Sequence, residues 1–196
     1  MLLWDYRTPG IPDELFERTE EVPITKEDIR SIAVSKLRLK EGYSAIDIGC
    51  GSGSITVELC LQTKGKVYAI DHDQKAIELT KRNLVKFGVR AEEVILGKAQ
   101  DILPKLIEVD AVIVGGTAGD TKQVIELAVD RLKKGGRIVI DTIVIETIYE
   151  ALKTVNDLKL KEIDITQVTI SKARKVTTGT MMLARNPVVI ISATKA

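Results

Sequence analysis

The spacing of hydrophobic positions switches repeatedly between two periods. Ile29, Ile32, Ala33 and Leu37 recur at helical spacing behind Thr25-Lys-Glu-Asp28, a hydroxyl-then-acid order resembling a capping box. After Lys40-Glu-Gly42 the period shortens. Ser44–Ile48 is expected to be a strand and Gly53–Leu61 a helix. Lys66–Ile70 follows as a strand, then a helix from Gln74 to Phe87 closed by Gly88. Glu93–Leu96 is a third strand, followed by a short helix near Gln100–Leu106. Asp110–Val114 is an apolar run of the kind buried on both faces of a sheet. Asp120–Leu132 is a helix ended by Lys133-Lys-Gly-Gly136, Arg137–Ile140 a fifth strand and Glu146–Asp157 another helix. Two strand-like stretches, Leu160–Ser171 and Pro187–Ala193, flank the polar segment Lys172–Thr180, expected as a loop.

Strand and helix thus alternate five times, which predicts an α/β fold: a doubly wound, mostly parallel, Rossmann-like sheet with helices on both faces. The two last strands lack an intervening helix. They are expected to pair antiparallel at one edge, completing seven strands. Residues 1–24 hold three of the five prolines (Pro9, Pro12, Pro23) and show no period. They are expected to form an arm lying on the domain or on a neighbouring subunit. Neither repeats nor a linker divide the chain, so residues 1–196 are expected to be one domain.

Composition narrows the function classes. With 29 basic and 28 acidic residues the net charge is +1, without the broad basic footprint of a nucleic-acid binder. No apolar run is long enough to span a bilayer, and MLLWDYRTPG lacks the layout of a signal peptide. Cys50 and Cys60 form no CxxC pair, which suits a reduced, cytoplasmic setting. One histidine, His72, and two cysteines do not make a zinc site, so no metal is expected.

The chemistry concentrates after the first strand, in AIDIGCGSGSITVELC (45–60). Gly49, Gly51 and Gly53 fall in the first strand-to-helix turn, where an open parallel sheet binds its ligand. A dinucleotide fingerprint G-x-G-x-x-G would need a third glycine at Ser54 or Thr56, and neither position has one. The spacing is G-x-G-x-G, preceded by Asp47. Asp47 is placed either to orient the loop amides or to hold an ammonium group through water. Asp71 ends the second strand, where an acid accepts ribose hydroxyls. Asp73 is better placed than Asp71 to cap the following helix. Gly97-Lys-Ala-Gln100 follows the third strand, offering the amide of Ala99 and the side chain of Gln100 to a base.

The segment hh-D-x-G-x-G-x-G resembles the class I S-adenosylmethionine (AdoMet) methyltransferases, which implies S-adenosyl-L-methionine as cofactor. Val114-Gly-Gly-Thr-Ala-Gly119 stands where amino-group methyltransferases carry D/N-P-P-Y/F. It offers an open floor (Gly115, Gly116, Thr117) instead of a clamp for a planar amine. Lys172, Arg174, Lys175 and Arg185 suit a polycarboxylate, since guanidinium and carboxylate pair bidentately. Met181 and Met182 suit packing. Asp141, at the end of the fifth strand, is an unexpected carboxylate there. It would repel an anionic substrate unless paired or protonated.

Further segments carry a narrower resemblance: Gly10-Ile-Pro-Asp-Glu-Leu-Phe16, Pro23-Ile-Thr-Lys-Glu-Asp-Ile-Arg30, VYAIDHD, VGGTAG, LKKGGRIVI and Gly179-Thr-Met-Met-Leu-Ala-Arg-Asn-Pro-Val188. With the glycine loop they resemble the decarboxylating precorrin methyltransferases of cobalamin biosynthesis, the cobalt-precorrin-6B C15-methyltransferases, almost end to end. The resemblance implies a tetrapyrrole substrate, methyl transfer to C15, loss of CO2 from the C12 acetate arm, and a homotetramer. It implies that Thr25, Gly49, Cys50, Gly51, Ser52, Gly53, Asp71 and Ala99 line the AdoMet site. No catalytic residue is assigned; Thr117 and Glu146 are the candidates for a general acid. Two other functions remain compatible with the residues: a class I methyltransferase acting on RNA or a protein carboxylate, and an AdoMet-binding module without catalysis.

Overall fold

The structure, a computed structural model, describes residues 3–196; Met1 and Leu2, the first residues of the expected arm, lie outside the described residues. β1 (Ala45–Ile48), β2 (Val67–Asp71), β3 (Glu93–Leu96), β4 (Val109–Val114) and β5 (Leu132–Thr142) run parallel in the order β3-β2-β1-β4-β5. β9 (Val188–Thr194) pairs antiparallel with β5, and β6 (Lys161–Val168) pairs antiparallel with β9 at the edge. The order reverses between β1 and β4, so the carboxyl ends of these strands open a crevice there. α1 (Glu27–Lys36), α2 (Ser54–Thr63), α3 (Gln74–Phe87), the short α4 (Ala99–Ile102), α5 (Thr121–Asp130) and α6 (Ile145–Asp157) complete the layers. Two apolar clusters lie on opposite faces of the sheet. One gathers Ile46, Val112, Ile138 and Ile191 under α5 and α6. The other gathers Ala45, Ile113, Val139 and Ile190 under α1 and α2. Successive strand residues feed opposite clusters, which is why β1 and β4 are apolar at almost every position.

Three expectations need correction. The segment 172–180 is not a loop: β7 (Ser171–Val176) and β8 (Gly179–Ala184) form a separate two-stranded antiparallel ribbon. Every residue of β8 is exposed, so no apolar alternation marks the hairpin in the sequence. Thr25 does not cap α1. Lys26 is the cap residue, no side chain caps the helix, and the Thr25 carbonyl instead accepts from Arg30 Nη1. β5 begins at Leu132 instead of Arg137, because Gly135 and Gly136 pair with the backbone of Lys195.

The arm packs on its own chain, burying Ile11, Phe16 and Val22. Its anchor is Arg30, fully buried, whose Nε donates to Glu58 Oε1 at 2.7 Å and whose Nη2 donates to the Ile11 carbonyl. Glu58 also accepts from the amides of Gly10 and Ile11. Removing one partner of such a buried pair costs about 3–5 kcal/mol, so the segment G-I-P-D-E-L-F is a fastening. Phe16 seats its ring 4.6 Å from that of Phe87.

Candidate functional site

The glycine turn is held from three sides. The amides of Gly49 and Cys50 donate to the Ile70 carbonyl at 2.9 and 3.1 Å, and the amide of Gly53 donates to the Cys50 carbonyl. The amide of Gly51 donates to Asp71 Oδ2 at 2.9 Å. Two residues of α3 that the sequence did not single out close the clamp. Thr80 Oγ1 donates to the Gly51 carbonyl, and Asn83 Nδ2 donates to the Ser52 carbonyl at 2.8 Å. Both are fully buried polar residues on the inner face of an amphipathic helix, and that was their signal in the sequence. Two of the glycines are required by the protein itself. A Cβ on Gly49 (φ +74°) would lie 2.8 Å from the Gly116 amide nitrogen. One on Gly53 (φ +75°) would lie 2.8 Å from the Thr80 backbone. The turns after β1 and β4 therefore touch, and α2 sits close on α3.

Two adjoining cavities open over this turn. The smaller, about 310 Å³, is lined by Gly49, Gly51, Asp71, Asp73, Gly97, Ala99, Gln100 and Asp120, with Ile48, Ile70, Ala76 and Val124 as apolar walls. The larger, about 1030 Å³, is lined by Thr25, Lys26, Ile29, Cys50, Asp141, Thr142, Ile143, Thr147, Arg185 and Asn186. They share Pro23, Gly49, Gly51 and the turn Gly115 to Ala118.

Four amides of the glycine turn are already spent inside the protein, and three carboxylates, Asp71, Asp73 and Asp120, outnumber the one lysine, Lys98, that lines the smaller cavity. Such a site repels a pyrophosphate, which needs free N–H donors. It favours a ligand with positive charge and no phosphate. Asp71 accepts from Gly51 and, at 3.0 Å, from the amide of Asp73. One lone pair on each oxygen stays open, enough for a diol. Asp73 caps α3 by accepting from the Lys75 amide at 2.9 Å. The Gln100 side chain donates to Asp120 at 2.6 Å, and Ala99 and Gln100 both line the cavity. These features suit S-adenosylmethionine: apolar walls for a base, Asp71 for ribose hydroxyls, acids for an ammonium and a sulfonium.

Asp47, Ser52 and Gly53, each expected in the cofactor site, are enclosed and line neither cavity. Asp47 accepts from Thr56 Oγ1 at 2.5 Å. The orienting of a loop amide, one of the two roles considered for Asp47, is performed by Asp71. Burial pushes the Asp47 carboxyl up to about 7, against the Thr56 hydrogen bond and with help from Asp141. Burial likewise raises the Cys50 thiol, which is thereby inert.

Candidates for the far end separate widely. Arg185 lines the larger cavity, and its Nη1 is buried without a hydrogen-bond partner. Thr117 lines both cavities and shares a 2.9 Å hydrogen bond with Thr121. Lys172 turns away to Glu27 and to Asp28 at 2.9 Å. Arg174 lies exposed on β7, and Glu146 is exposed in the first turn of α6, where Thr147 faces the cavity instead. Asp141 lines the larger cavity with its Oδ1 buried and unpartnered.

Residues 14–195 match the precorrin methyltransferase domain family. The chain belongs to this family. A relative from Saccharolobus solfataricus, named a probable cobalt-precorrin-6B C(15)-methyltransferase (decarboxylating), is 48% identical over 98% of each chain. A solved structure titled precorrin 8W decarboxylase, from Methanobacterium thermoautotrophicum, superposes with a TM-score of 0.89 at 34% identity, covering 93% of this chain and 98% of that one. A second, titled precorrin-6Y C5,15-methyltransferase from Geobacter metallireducens, gives 0.88 at 29% identity, covering 97% and 100%. The family match takes in the glycine turn and the β7–β8 ribbon, and begins within the arm.

Proposed function

We propose that this chain, working as a single domain, methylates C15 of a cobalt-precorrin-6B-type tetrapyrrole and removes CO2 from its C12 acetate arm, with AdoMet as methyl donor. One observation carries it: a carboxylate-lined cavity whose loop amides are already spent opens into a larger cavity lined by Arg185, whose Nη1 is buried and unpartnered. AdoMet supplies an electrophilic methyl group when bound. Asp71 holds its ribose hydroxyls, the backbone of Ala99 and Gln100 meets the base, and the turn from Gly49 to Gly51 bounds the methionine part. The shared strip Gly115 to Ala118 is where donor and acceptor meet. Bare backbone there lets a broad macrocycle lie close. Arg185 anchors a carboxylate of the substrate, and Lys26 adds positive charge to the same cavity. A meso carbon of the macrocycle is already nucleophilic, so alignment across the strip supplies most of the acceleration, on the order of 7–11 kcal/mol of barrier.

We further infer a cytoplasmic homotetramer that binds no nucleic acid. The β7–β8 ribbon leaves Met181 and Met182 45% and 62% exposed. Tyr149 and Ile145 on α6 are exposed at 71% and 77%, apolar surface of the kind an assembly covers. Light scattering after gel filtration tests the tetramer; a monomer would exclude it.

Calorimetry with S-adenosylhomocysteine, and NADH as control, tests the cofactor. The first ligand is expected to bind and NADH not. Asp71→Ala is expected to weaken binding about 100-fold, two charge-assisted hydrogen bonds being worth roughly 3 kcal/mol together. NADH binding, or an unaffected variant, would contradict the assignment.

A further inference from the structure

Three carboxylates lie toward the carboxyl ends of the parallel strands; Asp47 and Asp71 are buried, Asp141 is half-buried with its Oδ1 enclosed, and they differ in their partners. Asp47 has Thr56 as donor, and Asp71 has the amides of Gly51 and Asp73. Asp141 Oδ1 has no hydrogen-bond partner, and Asp141 takes part in no ion pair among the described residues. Native proteins rarely leave a buried carboxylate oxygen in this state. Its position is defined by the sheet. Ile140 pairs with Val114, so Asp141 is the next residue outward, beside the turn that begins at Gly115. A Cβ on Gly115 would sit 3.7 Å from Asp141 Oδ1, so the carboxyl lies against the strip shared by both cavities. In the same cavity Arg185 Nη1 is also buried and unpartnered, and the two are not paired with each other. A cavity holding an open guanidinium and, apart from it, an open carboxyl suits a ligand that brings an anion to one and a reacting group to the other.

Resting on the function above, we propose that Asp141 is a catalytic residue, the acid that delivers the proton completing decarboxylation, while Arg185 anchors a carboxylate that is not lost. In the step, the bond between the acetate methylene and its carboxyl carbon breaks and CO2 leaves. The electron pair stays on the methylene and the conjugated ring. The Asp141 proton then forms the new C–H bond, leaving a methyl group on the ring and an Asp141 carboxylate. Water in the open cavity restores the proton before the next turnover. The arrangement also removes the repulsion an ionised Asp141 would exert on the incoming acetate. Burial pushes the Asp141 carboxyl up to about 6. Of the charged groups packed around this cavity, Asp47 from β1 interacts with Asp141, while Lys26 from the start of α1 and Arg185 from the segment before β9 line the same cavity. Lys26 is itself drawn to Asp13, 3.7 Å away.

The test uses Asp141→Asn with methyl-labelled AdoMet and cobalt-precorrin-6B, following methyl incorporation and CO2 release separately. CO2 release is expected to fall about 100-fold or more, the usual scale of a lost general acid, with S-adenosylhomocysteine affinity unchanged. Release within about threefold of wild type would overturn the proposal, since general acids contribute far more than that. A wild-type enzyme that neither methylates nor decarboxylates would bring down the function itself, a distinguishable failure. Should the variant not fold, the wild-type pH profile decides. CO2 release is expected to decline above about pH 6 while methyl transfer does not, and the decline is expected to survive in Asp47→Asn. Absence of the decline, or its loss in Asp47→Asn, would overturn the assignment.

Discussion

The two cavities meet along one strip of backbone, yet they are built differently. Around the smaller one, polar groups are satisfied within the chain: Asp71 takes two amides, Gln100 gives to Asp120, and Thr80 and Asn83 hold the glycine turn. Around the larger one, Arg185 and Asp141 are left open. A site with its hydrogen bonds made beforehand binds with little reordering, as suits a ligand used in every turnover. A site with an open cation and an open carboxyl gains its partners only from a substrate that carries the matching groups, which is a source of selectivity. The difference separates the general half of the molecule from the particular one.

The largest expected effect concerns the acids beneath both halves. Asp47 and Asp141 have folded pKa values raised from 3.8 to about 7 and about 6. The folded state therefore binds more protons than the unfolded one between those limits. The stability tied to the neutral carboxyls is complete below about pH 4 and is lost as pH rises through 6 and 7. Melting temperatures of wild type are expected to fall across that window, and those of Asp47→Asn to fall much less. Parallel curves would show that Asp47 is not the buried acid described here.

Gly53→Ala follows in size. A left-handed conformation and a collision with Thr80 together are expected to cost about 2–4 kcal/mol in urea unfolding. An unchanged midpoint would break the clamp proposed for the smaller cavity. Arg185→Met sharpens the comparison from the other side. The tetrapyrrole KM is expected to rise roughly 10-fold or more, the scale of one charge-assisted pair, with S-adenosylhomocysteine affinity unchanged. Loss of both affinities would mean that the halves are not separate. The smallest effect is expected for Lys172→Gln. Its ion pairs with Glu27 and Asp28 are partly exposed and contribute less than about 1 kcal/mol, so KM is expected to stay near wild type.

The smaller cavity was the more legible in the sequence, and for a physical reason. Its parts are local: a strand, a glycine turn, a helix, an acid at the next strand end. Helix α3 was bounded at both ends, with Asp73 capping and Gly88 closing it. The larger cavity is assembled from α1, the turn after β4, the end of β5 and the segment before β9, and no spacing links them. Charge alone pointed to Lys172 and Arg174, which the fold places on an ion pair with Glu27 and in solvent. Asp141 did leave a trace, as an acid closing an apolar strand. The ribbon left none, because a hairpin exposed on both faces needs no alternation.

The most direct measurement supplies the wild-type chain with methyl-labelled AdoMet and cobalt-precorrin-6B and weighs the tetrapyrrole product. We predict a product that has gained one labelled methyl group and lost one CO2. A tetrapyrrole recovered unchanged, from protein that binds S-adenosylhomocysteine, would contradict the joining of the two cavities into one reaction.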